Sequence, residues 1–373
     1  MGAMSTQRGG SKLVRAGLVC AGLLVLGLIV VVGLGLARKA ELPPPLWTEA
    51  DLPPVPAADA NAWTLVAGRA PSGELQVALD ELPPIYRDEG EGWDAQELAR
   101  LWTELEDGAF PRRRVMARAE SVELIALLDS ARARPHFVLR CESYDCQVID
   151  WHSLHGFAIA HALNLALDEQ QHEALAFGLD LLRLDQAHSE GASSWLSLVL
   201  SLRHLDETLQ LLELLVQQPG AEPSQAQLSG LAQAVGELEL DSPALEPAVI
   251  GEYLVLMAMF EEALGEQPEG GATRNMGLDL VRTRELIDER FELRHAGALA
   301  GDVRAAVGVG EPPVKDGPLW WLSNPTGKTM VETMIYFNEN MAESIETDLA
   351  ALREQRELVL ALPAIVAANE ASH

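Results

Sequence analysis

Positive charge is scarce in this sequence. Of 373 residues, 27 are Lys or Arg against 56 Asp or Glu, a formal net charge of −29. The shortage is uneven. Residues 1–39 hold Arg8, Lys12, Arg15, Arg38 and Lys39 and no acidic side chain, so the rest of the chain carries 22 basic and 56 acidic groups, or −34. A surface of that sign repels phosphate backbones, which excludes nucleic-acid binding by the main body. Disorder is excluded in turn, because a chain that is 48% hydrophobic and 22% charged is too apolar for an acidic tail.

Cysteine is nearly absent, and the three present are Cys20, Cys141 and Cys146. Cys141 and Cys146, in RCESYDC, are spaced to close a small disulfide in an oxidising compartment; free thiols and a metal site are the other readings. They are too far apart for a CxxC redox motif, and a zinc site would need further Cys or a His pair at ligand spacing.

Complete catalytic motifs are also missing. Gly191-Ala192-Ser193-Ser194-Trp195 lacks the closing glycine of a nucleophile elbow, and His172-Glu173 is followed by Ala-Leu-Ala, not by the second histidine of a zinc protease. Gly327-Lys328-Thr329 matches the end of a phosphate-binding loop, but Leu322 stands where the first glycine is required. No nucleotide and no cofactor is therefore expected. Acidic pairs such as Glu261-Glu262 carry little information in a body of this charge.

What the chain does contain begins with Ala16–Ala37, an uncharged apolar run that Leu13 and Val14 extend. About 20 such residues in a helix cross a bilayer, and the run is too long for a cleavable signal peptide. Residues 13–37 are read as one uncleaved transmembrane helix. The flanking basic residues favour a cytoplasmic N-terminus for residues 1–12. Residues 38–60 are a Pro-rich acidic stalk, and 61–373 an acidic body outside the membrane. An Ala- and Leu-rich body with Lys315 and Lys328 as its only lysines points to a bacterial source, hence an inner-membrane protein with a periplasmic body.

Within the body the apolar period is helical almost throughout. Helices are expected at 97–106, 121–133, 150–168, 173–188, 193–218, 223–240, 243–265, 276–300 and 329–362, the last closed by Pro363. His136–Arg140 is the one convincing extended run. The tetratricopeptide period of about 34 residues is not sustained. The fold class is all-α, an irregular array of antiparallel helical hairpins, solenoid-like or bundle-like, behind the membrane helix.

Two clusters stand out as candidate sites. Asp150-Trp151-His152-Ser153-Leu154-His155 places His152 and His155 on one helix face, where two imidazoles serve as metal ligands or as acid and base. Solvated or capping histidines and a partner-contact patch are the plainer readings, with Asp150 as an N-cap. Trp320 and Trp321 are core between the last two helices, a binding platform or a contact with the bilayer surface. The leading expectation is a membrane-anchored interaction or scaffold protein with a protein partner and no enzymatic activity. The alternatives are a hydrolase-like or metal-binding enzyme with its site at Asp150, His152 and His155, and an envelope chaperone-like factor.

Overall fold

The computed structural model describes residues 44–81, 95–140, 148–219, 221, 223–240, 244–265, 280–309 and 325–370. Residues 13–37, Cys141, Cys146, Trp320 and Trp321 lie outside them. Among the described residues the chain is all-helical, with thirteen α-helices, a 3₁₀ turn at Glu49–Asp51 and no strand. No helix among them is long and apolar enough to cross a membrane. In chain order they are α1 Trp63–Val66, α2 Gly73–Asp80, α3 Ala95–Asp107, α4 Ala109–Met116, α5 Ala119–Ala131, α6 Val148–Leu167, α7 Gln171–Glu190, α8 Trp195–Val216, α9 Gln225–Gly236, α10 Leu245–Gly265, α11 Leu280–Leu299, α12 Val303–Val307 and α13 Pro325–Glu370.

The chain divides into two compact units, and the division falls inside α10 and α13. One comprises residues 52–251 and 344–373; its centre is the packed trio α6, α7 and α8. Helix α8 is buried over most of its surface: Leu198, Leu202, Leu205, Leu209 and Leu212 form an apolar stripe, and the polar His204, Glu207 and Thr208 are buried as well. Ser194 caps it, its side chain accepting from Ser197 N at 3.1 Å. Helices α7 and α8 approach closely at Gly178, where a Cβ would sit 2.9 Å from Leu212 Cδ2. That contact explains a glycine inside a helix, where it costs about 1 kcal/mol in propensity. The α6–α7 connection is three residues long, and Glu169 adopts a left-handed φ of 63° there. A non-glycine residue in that region is strained, and the Gln170 N–H bond to Leu165 O at 2.9 Å closes the turn around it.

The extended run at His136–Arg140 makes one parallel bridge, with Asn61, rather than a strand. Asn61 substitutes for a neighbouring strand: its side chain donates to Val138 O and accepts from Val138 N, both at 2.9 Å.

The other unit holds residues 1–51 and 252–343. Residues 44–51, part of the Pro-rich run read as a spacer, are docked within it. Leu46 N donates to Tyr253 Oη at 2.7 Å, and the Trp47 ring lies 5.1 Å from that of Tyr253 and 5.0 Å from that of His295.

Two local expectations change. Helix α13 continues through Pro363 to Glu370. Pro363 removes its own N–H bond and crowds the carbonyl one turn back, but buried Val359 and Leu362 hold that turn in place. Helix α6 begins at Val148, so Asp150 lies inside its first turn and is not its cap. The Gly327-Lys328-Thr329 sequence likewise falls in the first turns of α13, which starts at Pro325, the residue type preferred at a helix start.

Candidate metal centre in the α6–α8 core

The apolar interior of α6, α7 and α8 contains an island of polar chemistry. His155, Asp185, His188, His204 and Thr208 are completely buried, Glu207 is 6% exposed, and His152 is partly exposed at the rim. Solvated histidines are thus excluded at His155.

Helical spacing creates the island. Each of the three helices contributes two polar side chains three residues apart, and residues i and i+3 share a face. The pairs are His152 and His155 on α6, Asp185 and His188 on α7, and His204 and Glu207 on α8. Metal and cofactor sites in helical bundles are built in this way, from side chains projecting inward from facing helices.

His204 sits between the two α6 histidines. His152 Nδ1 lies 3.0 Å from His204 Nε2, one of the two carrying the shared proton, and the His155 ring stacks on His204 at 4.3 Å. Trp151 stands edge-on to His155 and His204 at 6.0 and 6.2 Å and walls the cluster on that side. Deeper in, His155 Nε2 meets Asp185 Oδ2 and Thr208 Oγ1, each at 3.1 Å, and Thr208 donates to Asp185 Oδ2 at 2.7 Å. His155 Nδ1 is 3.4 Å from Glu207 Oε2, an ion-pair distance without hydrogen-bond alignment. The other oxygen of Glu207 accepts from Arg203 Nε at 3.1 Å. His188 Nε2 lies 3.1 Å from Ser197 Oγ.

These surroundings split the histidines into two electrostatic types. Burial opposes charge on His155, but Asp185 and Glu207 on either side outweigh it and raise its pKa to about 9. Burial pushes His188 down to about 3, helped by the positive His155. Burial also lowers His204 well below the ordinary histidine value, with its three histidine neighbours adding to the effect. His152 is lowered by burial too, against the attraction of Glu207. Glu207 is itself buried, which favours its neutral form, but contact with His155 reverses that and keeps it ionised. The outcome is neutral imidazoles at 152, 188 and 204 beside a carboxylate, the protonation states in which these groups bind metals.

The cluster is also incompletely paired. Nδ1 of His155, His188 and His204, Oδ1 of Asp185 and Nε1 of Trp151 have no hydrogen-bond partner in the protein. Each such buried atom costs about 1–3 kcal/mol. Native proteins leave few of them, and a concentration in one core calls for a specific explanation.

Of the residues singled out in the sequence, His152 and His155 converge through His204. Asp150 does not join them: among the described residues no hydrogen bond or ion pair links it to either histidine. Asp185, His188, His204 and Glu207 complete the cluster and were not singled out. The signal that would have found them is the recurrence of a ligand pair at i and i+3 on three consecutive helices. The chain matches no known protein family, no curated protein and no solved structure.

Proposed function

We propose that the protein is a metal-binding helical body whose α6–α8 core takes a transition metal on His152, His204 and Glu207. One observation carries this reading: one ligand atom from each of the three lies within 4.8 Å of the other two. The 3.0 Å between His152 Nδ1 and His204 Nε2 is the edge expected for two donors about 2.1 Å from one ion. Two imidazoles and a carboxylate suit zinc or ferrous iron; an all-oxygen calcium site and a thiolate copper site need other ligands. Three protein ligands leave coordination positions open, the arrangement of catalytic and exchangeable metals rather than closed structural ones. This departs from the sequence-based expectation of no cofactor, because the second and third ligands come from a helix that the α6 motif does not reveal.

The cellular setting of this reading rests on the sequence. Residues 13–37 tether the body to the bacterial inner membrane, the body faces the periplasm, and Cys141 and Cys146 form a disulfide there. The scaffold and chaperone-like readings, with Trp320 and Trp321 as contact residues, also rest on the sequence alone.

The test uses the full-length protein in detergent, stripped of metal with a chelator and titrated with Zn(II) or Co(II). Expected is binding by the native chain, with a Co(II) ligand-field spectrum, weakened by roughly 100-fold or more in His152→Ala and Glu207→Gln. A native chain that binds no more tightly than His152→Ala would end the proposal.

A further inference from the structure

We infer that Asp185 and Thr208 are positioning residues of the proposed metal centre. They act through His155, whose ring holds Glu207 and His204 in ligating geometry. The inference rests on the metal reading above and gives a role to buried polar groups that are not themselves ligands.

His155 touches two of the three ligands. Its ring stacks on His204 at 4.3 Å with the planes 23° apart, and its Nδ1 faces Glu207 Oε2 at 3.4 Å. Glu207 depends on such a hold. Its other oxygen accepts from Arg203 Nε at 3.1 Å, but the Arg203 side chain is 53% exposed. An ion pair with so exposed a member is weak and screened by salt. The contact that fixes the carboxylate is therefore the buried one, with His155.

What fixes His155 comes from the other two helices. Its Nε2 lies 3.1 Å from both Asp185 Oδ2 on α7 and Thr208 Oγ1 on α8, and the Thr208 hydroxyl donates to the same Asp185 oxygen at 2.7 Å. With its proton committed to Asp185, Thr208 offers His155 only a lone pair, so both partners accept from Nε2–H. That bond sets the orientation of the ring and turns Nδ1 towards Glu207. Metal-ligating side chains are commonly held in this way, by a partner that is itself hydrogen-bonded. A network built only to pin helices together would satisfy its own atoms. This one leaves Asp185 Oδ1 without a partner although Asp185 is fully buried, a cost that orienting a site accounts for and pinning helices does not.

The test separates positioning from a merely structural role. The full-length protein and its variants, in detergent and stripped of metal, are titrated with Co(II) against a chromophoric chelator, and the ligand-field spectrum is recorded at saturation. Asp185→Asn and Thr208→Val keep the shape of the residues they replace, and Thr208→Ser keeps the hydroxyl. Expected is binding weakened about 10- to 100-fold in Asp185→Asn and about 10-fold in Thr208→Val. Both should still take one equivalent, with shifted spectra, and Thr208→Ser should restore the native affinity and spectrum. A structural role would lower unfolding stability and leave the affinity and saturated spectrum of the folded variants at native values. Native values in Asp185→Asn, or in Thr208→Val should Asp185→Asn fail to fold, overturn the inference and leave the metal reading standing. A loss in Thr208→Val that Thr208→Ser does not recover removes Thr208 from the role. A native chain that binds no more tightly than His152→Ala overturns both the inference and the metal reading.

Discussion

The two units each bury a polar cluster, and they do so differently. In the unit containing α11, Tyr253 Oη accepts from Leu46 N and from Arg284 Nη2 and donates to Asp288 Oδ1, and Arg284 Nε reaches the same carboxylate oxygen at 2.9 Å. One positive charge faces one negative charge, and no atom of the three residues is among the buried atoms left without a partner. Burial and the Asp288 carboxylate raise the tyrosine to about 12, so it stays a neutral donor. In the unit containing α6–α8, a larger polar cluster leaves five atoms unpartnered and holds His188 and His204 neutral. A satisfied network rigidifies a core, whereas an unsatisfied one is retained at a cost. On the proposed reading, the first cluster is structural and the second is the metal site.

The largest expected effect breaks the structural side of this comparison. Asp288→Ala strands the Arg284 guanidinium, which is 1% exposed, and is expected to cost about 3–5 kcal/mol in urea unfolding. A loss below about 1 kcal/mol would show that the cluster does not hold its unit together.

Titration tests the histidine cluster in the metal-free protein. His155 has a folded pKa raised from 6.5 to about 9. Its contribution is fully present below pH 6.5 and is lost as pH rises through 9. At about 1.4 kcal/mol per unit this is on the order of 3 kcal/mol, and it should vanish in His155→Gln. His188 runs the opposite way. Its folded pKa is depressed to about 3, so stability falls as pH drops from 6.5 towards 3 while only the unfolded chain takes up the proton. Stability should peak near neutrality, and a profile rising steadily from pH 6.5 to 9.5 would contradict the assigned charge on His155.

Metal loading should stabilise one unit selectively. At 100 times the dissociation constant the gain is about 2.7 kcal/mol, seen as raised thermal unfolding that a chelator reverses. Asp288→Ala should keep this increment, since its cluster belongs to the other unit.

The smallest effect sharpens the contrast most. His204→Phe removes an unpartnered nitrogen and keeps a stacked ring, but it also loses the hydrogen bond to the partly exposed His152, so metal-free stability should fall by about 1–2 kcal/mol. The same variant should lose the metal increment entirely. A destabilisation near that of Asp288→Ala would place His204 in the structural class instead.

Several features were legible in the sequence for definite reasons. The 3.6-residue apolar period located α6, α7 and α8 to within a few residues, because burial of a helix face is written locally. The spacing of His152 and His155 put both on one face before any fold was known. The α7 and α8 pairs carried the same spacing, Asp185-Gln186-Ala187-His188 and His204-Leu205-Asp206-Glu207. In a chain with 56 acidic residues, however, a carboxylate three positions from a histidine is unremarkable by itself. Asp150 is not a cap because α6 starts two residues earlier, and it lies off the cluster's face because it sits about 160° and about 140° around the helix from His152 and His155.

The sequence by itself determined an acidic, all-helical chain, the approximate bounds of α6, α7 and α8, and three i, i+3 pairs of His, Asp and Glu side chains. These follow from composition and local periodicity, which act over one or two turns. Only the tertiary structure decided that the three pairs face one another. That depends on the rotation and register of three helices, set by the short turn at Glu169 and the close approach of Gly178 to Leu212. Convergence of ligands from separate helices is a property of packing, and no single segment encodes it.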